Sequence, residues 1–382
     1  MKNLILTATL VCLLLVSLTF AATLEVGDGK AFEQIEKAVA AAKPGDKIVV
    51  HPKRDGTAYR QPALLIRTPK LTIRAADPQK PVELDGNGFT YSGIGNIPRA
   101  IVQFDPEASG STLDGFRLIN ARNNSNNGAG VRINQANDVT VRNCEISGND
   151  MGIMSNGEAP KQTAARQLIE KCKITSNGTT KHPGYNHNLY LGGTSVTVQE
   201  CEISRAVTGH NLKSRAHLNF IIKNNIHDSS NREFDLVDAE GTTDIAGSHS
   251  FLIENTITKD QKCIGNKAVI HFGRDGKASH NGTLWLIRNT IRTPFISPVV
   301  DLSSGDGVVF IDNVINDTGA NQIGVLANLQ QPAMKAYGRG NTIPPRFILQ
   351  SQQTSSPMTL ESPPEFPKEL QAILPREPRP AK

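Results

Sequence analysis

Aromatic residues make up only 5% of this 382-residue chain, with a single Trp, and there are just five Cys. Neither sign of charge dominates: 41 Lys and Arg stand against 36 Asp and Glu, for a formal net charge of +5. Only one apolar run is long, from Leu4 to Phe20. The single run excludes a polytopic membrane protein, and five Cys in a long chain exclude a disulfide-stapled mini-protein. One Trp and no basic cluster speak against nucleic-acid binding. A dehydrogenase or kinase is unsupported, because no Gly-rich strand–turn–helix phosphate motif is present. The 32 Gly fall far short of the one-third that collagen requires. What the chain does have is turn-formers, Gly, Asn and Pro, between short apolar stretches, which suits many short strands.

Lys2, the apolar stretch and the small-residue exit at Ala21-Ala22 have the order of a signal peptide. Residues 1–21 are assigned to it, with cleavage after Ala21, and the protein is expected to be secreted or periplasmic. The alternative is an uncleaved anchor at the short limit for a span. Val11 before Cys12 is not the small residue that lipidation needs.

A repeat organises the rest. Val139-Thr-Val-Arg-Asn-Cys-Glu-Ile146, Gln167-Leu-Ile-Glu-Lys-Cys-Lys-Ile174 and Val196-Thr-Val-Gln-Glu-Cys-Glu-Ile203 share one pattern. It continues at Ile221–Ile226, Leu252–Ile257, Leu286–Ile291 and Phe310–Ile315. Cys144, Cys172, Cys201, Asn224, Asn255, Asn289 and Asn313 align, at intervals of 28, 29, 23, 31, 34 and 24 residues. Period-two alternation makes these units strands, and recurrence at this interval makes them coils of a solenoid. Coils stack about 4.8 Å apart, so equivalent residues form ladders. Asn in such a ladder satisfies its neighbours and the backbone at a bend, and Cys fills the same place as a small hydrophobe. Three Cys in a row cannot all pair, which favours a free-thiol column over a disulfide; coil spacing does not suit a Cys metal site.

Phe32–Ala42 reads as a short amphipathic helix closed by Pro44-Gly45-Asp46, followed by a strand from Lys47. The expected fold is therefore all-β: a single-stranded right-handed parallel β-helix of about 10–11 coils with a short N-terminal capping helix. The cap occupies residues 22–47, the solenoid 48–350, and a Pro-rich tail 351–382. That tail holds seven Pro and reads as extended or disordered.

The stretches "AAKPGDKIVVHP", "YRQPALLI", "LTIRAAD" and "VELDG" resemble the first coils of secreted right-handed parallel β-helix proteins of the pectate lyase-like superfamily. That superfamily contains polysaccharide lyases, polygalacturonase-like hydrolases and uronan epimerases. The resemblance implies the fold over residues 24–320 and a carbohydrate-active role; it does not fix the reaction.

A site on such a solenoid is built from one strand position in successive coils. His-Asn-Leu occurs at 187–189 and again at 210–212, one coil apart. Leu189 and Leu212 then point inward, and Tyr190 and Lys213 outward. The same alternation adds Asp235, His271 and Asp301 to the outward column, with His187, His210 and Arg215 beside it. Five of the nine His (182, 187, 210, 217 and 271) fall in neighbouring coils. This concentration of acid–base groups differs from the Lys, Glu, Ser and Thr of an ordinary solvated face.

β-Elimination of a uronic-acid polysaccharide fits the column best. Lys213 is the expected base if Arg215 or burial lowers its pKa, with Asp235 opposing that shift; Tyr190 or His210 is the acid or takes the base role, and Arg215 holds the substrate carboxylate. His187, Asp235 and His271 are expected to bind substrate. The partner is an acidic polysaccharide, and the protein is expected to act as a monomer. Hydrolysis needs two spaced carboxyls, and the hydrolase branch's Asn-Thr-Asp and Asp-Asp motifs are absent, as is an epimerase-type Asp-Pro-His-Glu element. No cofactor is required; calcium on Asp235, Asp238, Glu240 and Asp244 is the one metal alternative. The competing class is a non-enzymatic glycan-binding or adhesin-like surface protein, in which outward residues would be similar in every coil.

Overall fold

The computed structural model describes residues 21–156, 164–294, 298–317, 323–351, 354–357 and 359–374. Its short strands build three long sheets of twelve, twelve and ten strands, each sheet joining one strand from every successive coil. Pairing is parallel, except where Phe347–Ser351 meets Thr354–Pro357 at the C-terminal end. This is the expected right-handed parallel β-helix. The first sheet is longer than 10–11 coils because Thr23–Val26 already pairs with Lys47–Val50, ahead of the first full coil.

Alternation explains the core. In the first sheet Ile48, Ile73, Leu113, Val141, Ile169 and Val198 stack in register, all fully buried. The capping helix runs Ile35–Ala41, shorter than expected, and buries Ile35 and Ala38 against the first coils.

At one bend the chain turns through a left-handed residue in each coil, among them Lys171, Glu200, Lys223, Glu254 and Arg288, with φ between 52 and 56°. The next residue belongs to the predicted ladder. Cys144, Cys172 and Cys201 are buried free thiols, and burial pushes the Cys172 thiol well up. The Cys201 backbone N–H donates to Asn224 Oδ1 at 2.9 Å. From there Asn224, Asn255, Asn289, Asn313 and also Asn341 pass amide hydrogen bonds of 3.0 Å along the axis. Each amide also donates to a carbonyl of the preceding coil, as Asn255 does to Ile221 at 2.8 Å. Replacing Asn255 by Ala strands a buried N–H of Asn224 and the Ile221 carbonyl. The expected cost is about 1–3 kcal/mol in urea unfolding; a loss near zero would mean that water or backbone movement satisfies the bend.

The reading of the tail as extended or disordered needs correcting over residues 368–373. Lys368–Ile373 is a helix, and Phe366 and Leu370 are buried against Phe251, Trp285, Ile287, Val309 and Ile311 on the outer face of the first sheet. Phe366 meets Trp285 edge-on at 5.7 Å. An apolar stripe on a solenoid's outer face needs a cover, and one six-residue helix is too short to show a period in sequence. Residues 1–20, all but the last of the expected signal peptide 1–21, and tail residues 375–382 lie outside the described residues. No helix among the described residues is long and apolar enough to cross a membrane.

Candidate active site

The second sheet carries the site on its outer face. Its strands Met151–Ser155, Leu189–Leu191, Leu212–Ser214, Phe234–Val237, Ile270–Gly273 and Val300–Leu302 pair so that Tyr190, Lys213, Asp235, His271 and Asp301 align. The column is thus the expected one, and Leu189, Leu212, Phe234 and Ile270 fill the core beneath it. Along the edge of these strands runs a second amide ladder, Asn149, Asn177, Asn188, Asn211. It ends on Glu233, which accepts from Asn211 at 2.6 Å. Burial pushes the Glu233 carboxyl up to about 7, against the pull of Lys259, whose ammonium is 3.8 Å away and equally buried.

Asp235 is the hub. Its Oδ1 accepts from His271 Nδ1 at 2.9 Å and from Arg232 at 3.0 Å. Its Oδ2 lies 2.8 Å from the Lys213 ammonium and 3.4 Å from His210 Nε2. Burial alone would raise the Asp235 pKa, but His210, His271 and Lys213 override it and hold the carboxyl well below its ordinary value.

Lys213 departs from expectation. It is 9% exposed rather than solvated, and its ammonium bridges Asp235 and Asp275, the latter at 2.7 Å. Burial would lower its pKa; the two carboxylates outweigh burial and raise it. A lysine held as its conjugate acid lacks the free electron pair of a general base, so the lowered pKa expected from the sequence is corrected. Arg215 differs too. Its Nη2 pairs with Asp275 at 2.7 Å, its Nη1 donates to the Asp238 carbonyl, and its Nε donates to the Tyr190 hydroxyl at 3.1 Å. With every edge of the guanidinium engaged, no bidentate face is left for a substrate carboxylate.

His187 and His210 stack with ring centroids 5.1 Å apart, and both are buried. The His210 backbone N–H donates to His187 Nδ1 at 3.0 Å, so His187 is neutral with its proton on Nε2. Burial holds the His187 pKa well below its ordinary value and brings that of His210 to about 4. Tyr190 is half-buried and packs edge-on to His187 at 5.5 Å. Tyr190 is thus less buried than His187, His210, Lys213, Asp235 and His271.

Four contributors went unread in the sequence. Asp275 lies on a turn anchored by Asp238, which accepts the backbone N–H groups of Asp275 and Gly276 at 2.6 and 2.8 Å. Arg232 precedes its strand, and Ser303, 2.9 Å from His271 Nε2, follows another. Arg132 occupies the outward column itself, in register with Met154 and, through it, Tyr190. Burial, then Arg99, lowers its pKa to about 10, and the contact made by its guanidinium is to Met154 Sδ at 3.3 Å. Its position between inward Val131 and Ile133 was a usable signal.

Asp235 is committed to cations, Asp238 to backbone N–H groups, and Glu240 is exposed; no group of three metal-binding side chains occurs among the described residues. The same commitments leave Asp235 and Asp238 unavailable as a hydrolytic carboxyl pair. Asp301 accepts amides from Asn328 and Gln330 at 2.9 and 2.8 Å.

No family model matches the chain, and no curated protein does. Solved structures do. The pectate lyase Pel9A superposes with a TM-score of 0.50 at 12% identity, over 88% of this chain and 78% of its own. A DFA-IIIase from Arthrobacter chlorophenolicus A6, in complex with DFA-III, does so with 0.50 at 10%, over 88% and 99%. At such identities the likeness is one of fold.

Proposed function

We propose that the protein is an exported, monomeric carbohydrate-active enzyme that cleaves an acidic polysaccharide by β-elimination. The observation that carries this reading is the hydroxyl of half-buried Tyr190, fixed by Arg215 Nε at 3.1 Å beside the buried, pre-paired Lys213, Asp235 and His210. The names of the two structural neighbours, a pectate lyase and a DFA-IIIase, fit a glycan substrate. Tyr190 moves the C5 proton and returns one to the leaving oxygen, and Arg215 positions the phenol and stabilises charge on its oxygen. Arg132, which has no ion pair to a carboxylate among the described residues, takes the substrate carboxylate and so acidifies that proton. Lys213 and Asp235 hold the framework.

The test is absorbance of the unsaturated product on a panel of uronans. Tyr190→Phe should lower turnover at least ~100-fold while leaving the fold intact, and Arg132→Ala should lower kcat as well as raise KM, because the carboxylate contact acts on the proton that is removed. Tight binding of a uronan without any absorbance rise would instead favour the glycan-binding reading.

A further inference from the structure

We infer that Ser303, His271 and Asp235 form an acyl-transfer triad that hydrolyses an O-acyl ester on a polysaccharide. That the alcohol is a sugar rests on the proposed function; the acyl transfer itself does not. The argument begins with protons. Asp235 is an ionised acceptor, so the His271 nitrogen facing it at 2.9 Å, Nδ1, carries hydrogen. In a neutral imidazole the other nitrogen, Nε2, is then a bare acceptor. It lies 2.9 Å from Ser303 Oγ, closer than the 3.4 Å to the alternative acceptor, the Arg274 carbonyl. The serine hydroxyl therefore donates to His271, which is the arrangement that activates a serine.

The surroundings are built for it. The Arg274 backbone N–H donates to Ser303 Oγ at 2.6 Å, which fixes the hydroxyl beside the imidazole. Gly273, with φ +131°, makes the approach feasible: a Cβ there would sit 2.7 Å from Ser303 Oγ and 2.2 Å from the Ser304 nitrogen. Ser303 is half-buried, while His271 and Asp235 are buried behind it. An accessible nucleophile is thus backed by a sequestered base and its orienting carboxylate.

In the first step Ser303 Oγ attacks the ester carbonyl carbon as its proton passes to His271 Nε2. The carbon–oxygen bond to the sugar breaks, and His271 gives that proton to the departing sugar hydroxyl. Water then attacks the acyl-serine, His271 takes its proton and returns it to Ser303 Oγ, and a carboxylic acid leaves. One ester and one water give one alcohol and one acid, with no change in oxidation state.

The experiment treats the full chain with a fluorophosphonate probe and maps the adduct by mass spectrometry. In parallel, hydrolysis of p-nitrophenyl acetate and acetate release from O-acetylated uronans are followed. Labelling at Ser303, lost in His271→Ala, and acetate release that falls at least ~100-fold in Ser303→Ala are expected. Ser303→Cys keeps a nucleophile in the same fold, and labelling of its thiol by iodoacetamide should again depend on His271. No labelling at Ser303, or ester hydrolysis unchanged in a folded Ser303→Ala, overturns the proposal; Ser303 is then only a hydrogen-bond partner that holds the imidazole. Acetate release and unsaturated product are separate readouts, so this proposal and the elimination fail independently.

Discussion

Asp235→Asn is expected to destabilise the protein by about 3–5 kcal/mol, the range for removing one partner of a buried ionic cluster. The substitution keeps volume and shape, so what it removes is charge. In the native protein that charge faces Lys213 at 2.8 Å and Arg232 at 3.0 Å, with His271 and His210 completing the shell. Without it, Lys213 keeps only Asp275, and Arg232 is left with a charge and a buried Nε that already lacks a hydrogen-bond partner. Asp301→Asn is the matched control. It lies in the same column, but its carboxylate is half-exposed and accepts only neutral amides, so its cost should stay within about 0.5–1 kcal/mol. The comparison is made by urea unfolding at neutral pH. A loss below ~1 kcal/mol for Asp235→Asn would sink the view that this carboxylate holds the coils together.

The column containing Asp235 was readable because two simple periods meet in it. Alternation along a strand decides which side chains face out, and the one-coil spacing of His-Asn-Leu decides which of them are neighbours. Tyr190, Lys213, Asp235, His271 and Asp301 follow from those two facts. Asp275, Arg232 and Ser303 do not, because they lie just outside strands, where alternation stops and the turn decides direction. They change the chemistry of Lys213. Without Asp275 in view, Lys213 reads as an outward lysine whose pKa Arg215 or partial burial would lower; with it, the lysine is a bridge between two carboxylates. His187 and His210 were placed correctly in sequence, but their stacking and burial come from the ring in the next coil. The fold was legible along the solenoid for a related reason: every coil repeats the same bend, from Cys144 to Asn313. The C-terminal helix has no repeat to reveal it, and its position depends on an outer apolar stripe, Phe251 and Trp285 among it, contributed by distant coils.

Buried neutral histidines give the second large effect, a loss of stability in mild acid. Burial holds the His187 pKa well below 6.5, brings His210 to about 4, and brings His280 to about 3. As pH falls below 6.5 the unfolded chain takes up three protons that the folded chain refuses, so stability present above pH 6.5 is lost on the way to pH 4. Glu233 acts in the opposite direction. Its folded value of about 7 exceeds 4.5, so its contribution is present below pH 4.5 and fades as pH rises to 7. Asp235 adds stability only above 3.8 and loses it at still lower pH. Between pH 6 and 4.5, these three histidines stand against one glutamate, and His249, whose pKa burial also lowers, acts in the same direction as the three. At 1.36 kcal/mol per proton and pH unit, the net slope is roughly 2–3 kcal/mol per pH unit. A domain of ordinary stability, about 5–15 kcal/mol, cannot absorb that for long. Because solenoid coils lean mainly on their neighbours, the loss should begin in the coils from His187 to His280 rather than along the whole axis. Amide hydrogen exchange at pH 7 and pH 5, corrected for the intrinsic rate, is the measurement. Protection should collapse first in residues 187–280 and hold in the coils around Ile73 and Leu113. His280 stacks on Phe272 at 4.1 Å, so His280→Phe keeps an aromatic ring there and removes one titrating group. That variant should flatten the acid slope by about one proton's worth. Equal protection at both pH values would show that these imidazoles take up protons within the folded coils.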